Sequence, residues 1–133
     1  MAGFYKEKAH KTNHMIGGKK MNEFTERTIK LILSIPAGKI MTYGQIARRA
    51  GNPRGARQVV WILHTMSHIH HLPWHRVVNA KGEIAIKDDE SKFIQVALLE
   101  KEGIEVDKNG RISIEKYLFE PDEMDTREKG SWK

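Results

Sequence analysis

Apolar positions follow a helical period in four stretches, separated by glycine and proline signals. Phe24, Ile29, Leu31, Ile32 and Ile35 mark the apolar side of a first helix, which Pro36-Ala37-Gly38 ends. Thr42 followed by Gln45 has capping-box spacing, and Gly51 stands where a left-handed C-terminal residue is wanted, so a second helix is predicted over residues 43–50. Asn52-Pro53 then offers an N-cap and a proline at the first helical position, and Ala56, Val59, Val60 and Leu63 recur as the core face of a third helix. At about 100° per residue, Arg54, Arg57, Gln58 and Trp61 gather on its opposite side, away from the core. Phe93, Val96, Ala97, Leu98 and Leu99 predict a fourth helix ending near Gly103.

Between and after these helices the pattern shortens. Arg76-Val77-Val78 and Glu83-Ile84-Ala85-Ile86 are β-prone pieces across the turn signal Asn79-Ala80-Lys81-Gly82, which predicts a small hairpin or wing. Ile104-Glu105-Val106 and Ile112-Ser113-Ile114 predict a second strand pair around Asn109-Gly110. The expected fold is mainly α with small β elements, a winged-helix-like helix-turn-helix domain over residues 21–121. Residues 1–20 show no helical or strand period and are expected to be a disordered basic tail or an expression leader; residues 122–133 read as a polar, frayed tail.

Charge changes this picture more than composition does. The net charge of +6 conceals a segregation: no Asp or Glu occurs between Arg27 and Gly82, while residues 83–133 hold fourteen acidic against nine basic side chains. The first region suits a polyanion, because neutralising phosphates releases condensed counterions. The chain has no cysteine, which excludes disulfides, thiolate metal sites and cysteine nucleophiles, and fits a reducing, cytoplasmic setting. No apolar run approaches the roughly 18–20 residues of a bilayer span. His64 and His68 have i,i+4 spacing, but no Glu follows the first histidine as in a zincin helix, and no metal or cofactor is expected.

Three blocks, in order, carry a resemblance: Ile35-Pro36-Ala37-Gly38-Lys39 through Thr42-Tyr43-Gly44-Gln45-Ile46-Ala47, then Gly51-Asn52-Pro53-Arg54-Gly55-Ala56-Arg57, then Pro73-Trp74-His75-Arg76-Val77. Together they resemble the DNA-binding domain of the O6-alkylguanine-DNA alkyltransferases, in which a cysteine stands at the position of Trp74. An indole has one N–H donor and a π face but no ionisable sulfur, so Trp74 cannot accept an alkyl group as that cysteine does. Tryptophan in that slot, with the ending Tyr117-Leu118-Phe119-Glu120-Pro121, is similar to the subgroup called alkyltransferase-like proteins.

The resemblance implies roles residue by residue. Tyr43 would crowd the phosphate beside the target and rotate the nucleotide out of the duplex, unless it is a half-buried structural tyrosine. Arg57 would enter the base stack from the minor groove and occupy the space left by the flipped base, offsetting part of a flipping cost of a few kcal/mol. Gly55 and Ala56 would let the helix approach the groove walls, although Gly55 also reads as a tolerated weakness near a helix start. Arg54, Arg48 and Arg49 would neutralise phosphates without reading sequence. Trp74 would wall the pocket for the extruded base, or else be a core residue; backbone carbonyls at Trp74 and Val77 would meet the guanine edge. Lys87 would approach O6, with a less secure role than arginine. His75 and Glu102 match the relay that activates the cysteine and retain structural value only. Met66 lies near where the enzymes carry an asparagine hinge, which leaves the hinge geometry open.

The resemblance thus implies a monomeric, non-catalytic binder of O6-alkylguanine in duplex DNA that hands the lesion to nucleotide excision repair proteins, associated with the nucleoid if the source is bacterial. Two rivals stand beside it: a residual hydrolase or alkyltransferase working through His75, Glu102 or water, and a sequence-specific helix-turn-helix regulator.

Overall fold

The computed structural model describes residues 15–16 and 19–121. The polar tail at 122–133 and the rest of 1–20 lie outside the described residues. Within that first stretch, which has no strand period in its sequence, β1 (Met15–Ile16) pairs antiparallel with β2 (Lys19–Lys20).

Helix α1 (Glu23–Ser34) starts at Asn22, whose side chain accepts the Thr25 N–H at 2.8 Å, with Glu23 and Glu26 in the first turn against the positive end of the helix dipole. Strand β3 (Met41–Thr42) leads directly into α2 (Tyr43–Arg49). The predicted capping box is present in full: Gln45 N–H donates to Thr42 Oγ1 at 3.1 Å and Thr42 N–H donates back to Gln45 Oε1 at 3.2 Å. Gly51, at φ +105°, closes α2 with paired bonds from Gly51 N–H to Arg48 O and Asn52 N–H to Ala47 O.

The third helix, α3 (Ala56–His70), begins later than its sequence suggests. Asn52 and Pro53 form a turn instead of a cap: Gly55 N–H donates to Asn52 O at 2.8 Å and Arg54 N–H to Asn52 Oδ1 at 3.2 Å, so the Asx turn captures the segment and Gly55 becomes the N-cap. The buried stripe is Val59 and Ile62, with Leu63 and Met66 packed against the core; Val60, expected inside, is 45% exposed. Helix α3 runs through Met66 without a break and ends at His70, and the C-cap His71, at φ 55°, reverses the chain.

A 3₁₀ turn (Trp74–Arg76) precedes β4 (Val77–Val78), which pairs in parallel with β3, Met41 opposite Val77 and Thr42 opposite Val78. The expected wing is therefore corrected. Asn79 N–H does reach Glu83 O at 3.1 Å and the turn closes at Gly82 (φ +79°), but the chain then bonds elsewhere, Ile84 N–H to Gly110 O and Ile112 N–H to Gly82 O. The second predicted strand pair is also absent among the described residues. Its turn exists, with Asp107 Oδ1 accepting Asn109 and Arg111 N–H groups, but Ile114 enters a short helix, α5 (Ile114–Tyr117), N-capped by Ser113.

Helix α4 (Asp89–Lys101) is capped by Asp88 and followed by Gly103 at φ +87°. It buries Gln95 and Leu99, while Phe93, two residues and about 200° from Gln95, is 73% exposed. Alternation along the β3–β4 pair divides the core in two. Met41 and Val77 join the side chains of α1, α2 and α3, whereas Ile40 and Val78 face Leu99, Ile104 and Tyr117. The helix-turn-helix thus rests on one side of a small parallel pair, and the β4 end of that pair positions Trp74.

Candidate nucleic-acid interface and cavity

The solvent face of the α2–turn–α3 unit carries Arg48, Arg54, Arg57, Gln58 and Trp61, all exposed, as their spacing predicts. Not every arginine of the acid-free stretch is available there. Arg49 bonds Glu120 at 3.3 Å, Arg27 bonds Glu23 at 3.3 Å, and Arg76 is held by Glu102, so acids from outside the stretch fold back onto three of its basic side chains. Arg49, expected to neutralise phosphate, is engaged within the protein. Gly55 is buried, and a Cβ there would stand 2.8 Å from Phe24 Cζ and 3.0 Å from Asn52 O. Packing of α3 on α1 accounts for its small size, and Ala56 beside it is half-buried.

Beside this face lies a cavity of about 320 Å³, within the range of small-molecule sites. Tyr43, the first residue of α2, forms one wall; Val60, Leu63 and His64 of α3 form another. Trp74 and Val77 supply the loop side, and Gln95 and Ser91 of α4 close it with Ile86. Tyr43 is half-buried and packs against the core, and burial pushes its phenol above the usual value of 10.0, so it remains a neutral hydroxyl. Lys87 follows Ile86 and is exposed, outside the lining itself.

Trp74 is half-buried, its ring edge-on to His75 with centroids 6.2 Å apart. Its carbonyl accepts the Val77 N–H, and the Val77 carbonyl accepts Gln95 Nε2 at 3.3 Å; each keeps a second lone pair. Gln95 is a site residue that the sequence reading missed. It is 2% exposed and clamps the loop, with Nε2 also donating to His75 O at 3.0 Å. The available signal was a glutamine one turn before Leu99 on an apolar helix stripe, where a polar side chain needs buried partners.

Behind the loop, Glu102 gathers the groups of the expected relay. His75 Nε2 lies 2.8 Å from Glu102 Oε2, Arg76 donates through Nε (3.0 and 3.1 Å) and Nη2 (2.6 Å), and Gly38 N–H donates at 3.1 Å. Arg76 Nη1 also reaches Ile35 O at 2.8 Å. Burial raises the Glu102 pKa, but the bonds from Arg76, His75 and Gly38 override it and hold the carboxyl at about 2. The carboxylate can only accept, so the imidazole donates from Nε2. This cluster ties α4 to the 35–38 turn and the Trp74 loop, and the chain has no thiol for it to activate.

Among the described residues no three His, Asp or Glu side chains gather as a metal-holding group, and no helix is long and apolar enough to cross a membrane. Residues 23–104 match the family model of the 6-O-methylguanine DNA methyltransferase DNA-binding domain. The chain is 41% identical over 101 residues to a DNA base-flipping protein of Vibrio parahaemolyticus, covering 76% of this chain and 100% of that one. It is 36% identical over 110 residues to Alkyltransferase-like protein 1 of Schizosaccharomyces pombe, covering 77% and 99%. The crystal structure of the S. pombe protein in complex with damaged DNA containing O6-carboxymethylguanine superposes with a TM-score of 0.69 at 34% identity, over 77% of this chain and 99% of that one.

Proposed function

The chain belongs to the 6-O-methylguanine DNA methyltransferase DNA-binding family, among its alkyltransferase-like proteins, and on that premise we propose that it binds O6-alkylguanine in duplex DNA from the minor groove, flips the nucleotide, and transfers nothing. The observation that carries this reading is Trp74 in the wall of a cavity that also adjoins Tyr43 and the cationic face of α3. Arg57, at the start of α3, fills the vacated stack, and Tyr43 turns the target phosphate. The extruded base enters beside the Trp74 indole, and the Trp74 and Val77 carbonyls, each with a second lone pair, meet its edge. Lys87 approaches the O6 substituent from the cavity rim.

Transfer lacks an acceptor. The two serine hydroxyls of the lining are committed, Ser67 Oγ to Leu63 O at 2.5 Å and Ser91 Oγ to Asp88 Oδ2 at 2.7 Å, and neither bonds a histidine. The relay pair is consumed by Arg76 and Gly38, which supports a structural role for His75 and Glu102. Because Arg48 and Arg54 meet phosphate rather than base edges, sequence preference is weak. Recognition without repair needs a successor, and we assign it to nucleotide excision repair proteins on the family resemblance, with the protein acting as a monomer.

A duplex with 2-aminopurine beside a single O6-methylguanine tests extrusion, since unstacking brightens the probe. The protein is expected to raise its fluorescence and Arg57→Ala and Tyr43→Ala are not; equal brightening by all three would overturn the flipping assignment. Methyl label appearing on protein or in solution would overturn the absence of transfer.

A further inference from the structure

Trp61 leaves 64% of its surface exposed, one helical turn after Arg57 on the outward face of α3. The core does not need it: Val59 and Ile62, its neighbours on the helix, are buried in its place. Among the described residues its indole makes one ring contact, with His64, at 6.4 Å between centroids and 36° between planes. His64 and Val60 belong to the cavity wall, so along the helix Trp61 stands between Arg57 and a wall residue of the cavity.

The charge around it selects the occupant. Arg54 and Arg57 are exposed on the same face, and no acidic residue occurs from 28 to 82 in the chain. A polyanion is attracted to that face and a basic protein partner is repelled. An exposed indole beside cations suits the wall of a nucleic-acid groove, where it can lie on deoxyribose and base edges whatever the sequence. A helix that presents Arg57 to the minor groove presents Trp61 to the same groove, because residues i and i+4 share a face.

We propose that Trp61 is a second groove-seated residue, packing its indole against the duplex one turn from Arg57 and propped by His64. This rests on the minor-groove reading given above, and it adds a contact that is apolar and indifferent to the lesion. The indole binds plain and damaged duplex alike, so lesion preference stays with Arg57, Tyr43 and the cavity. Its contribution also resists salt, whereas each phosphate-bound arginine adds about one unit to the salt slope.

The test uses the full chain labelled with 5-fluorotryptophan, with the Trp61 resonance assigned from Trp61→Phe, and two otherwise identical duplexes, one with O6-methylguanine. Binding of either duplex is expected to shift the Trp61 fluorine signal and abolish its solvent isotope effect. Trp61→Ala is expected to weaken binding to both duplexes about tenfold with the salt slope unchanged, and Trp61→Phe to retain most of the affinity. A Trp61 signal that stays solvent-exposed in the complex, or Trp61→Ala binding as tightly as the parent or tighter, would overturn the proposal. A lesion preference that persists alongside such a result leaves the proposed function standing. Equal parent affinity for the two duplexes with a shielded Trp61 does the reverse.

Discussion

Two sets of arginines from one acid-free stretch of sequence have opposite fates. Arg54 and Arg57 open outward at the start of α3 with no acidic partner among the described residues, while Arg76 turns inward and spends its guanidinium on Glu102 and the Ile35 carbonyl. The difference lies in where later acids return. Glu102 and Glu120 fold back on Arg76 and Arg49, and among the described residues no acid pairs with Arg54 or Arg57. One region is left charged for a ligand, and the other is neutralised to hold a loop. The carboxylate and imidazole meet at 2.8 Å in a chain that has no thiol for them to activate.

The comparison breaks most sharply at Glu102. Glu102→Gln leaves Arg76 partly buried without its counter-charge, and is expected to lower unfolding free energy by about 3 kcal/mol, measured by urea denaturation at pH 7. The sign of the pH dependence follows from the depressed folded-state value. Stability from Glu102 is complete above its unfolded pKa of 4.5 and is lost as pH falls through about 2. The parent should therefore weaken across that window by about 3 kcal/mol, in the order of magnitude set by the shift, and Glu102→Gln should lack this acid limb.

On the outward side, Arg57→Ala is expected to weaken binding to an O6-methylguanine duplex by about 2–3 kcal/mol, the scale of a flipping cost no longer offset. Its unfolding should stay within about 0.5 kcal/mol of the parent, as for an exposed side chain. Gly55→Ala separates packing from groove approach. Its new Cβ meets Phe24 and the Asn52 carbonyl, so a loss of about 1 kcal/mol in stability is expected with lesion affinity of the folded protein unchanged; a selective loss of affinity would give Gly55 a groove role as well. Arg49→Ala should have the smallest effect, under about 1 kcal/mol on stability and no change in the salt slope of binding, because Glu120 already holds that side chain.

What the sequence revealed follows from the range of each interaction. The Thr42–Gln45 capping box and Gly51 act within four residues, and both were legible with their partners. So was the outward face of α3, since helical period alone sets it. The parallel pairing of Met41 with Val77 was not: two-residue strands 36 positions apart leave no periodic trace, and Val77-Val78 invited a hairpin with its nearer neighbour. Asn52-Pro53 fits a helix cap and an Asx turn equally well, and the Gly55 bond to Asn52 O decides between them. Arg49–Glu120 and the packing of Gly55 on Phe24 depend on distant elements, so no local pattern marks them, and Gln95 left only the trace of a polar side chain on an apolar helix stripe. The lack of a cysteine nucleophile was legible from composition alone, the slot of Trp74 only through the resemblance, and the fold adds the cavity that Trp74 walls.

The central claim is recognition of the lesion without its removal. Equilibrium titration of the parent protein against two duplexes at one salt concentration, identical except for a single methyl-labelled O6-methylguanine, tests it directly. Tighter binding to the damaged duplex and full recovery of the label on guanine are expected. Equal affinities, or label lost from the DNA, would contradict it.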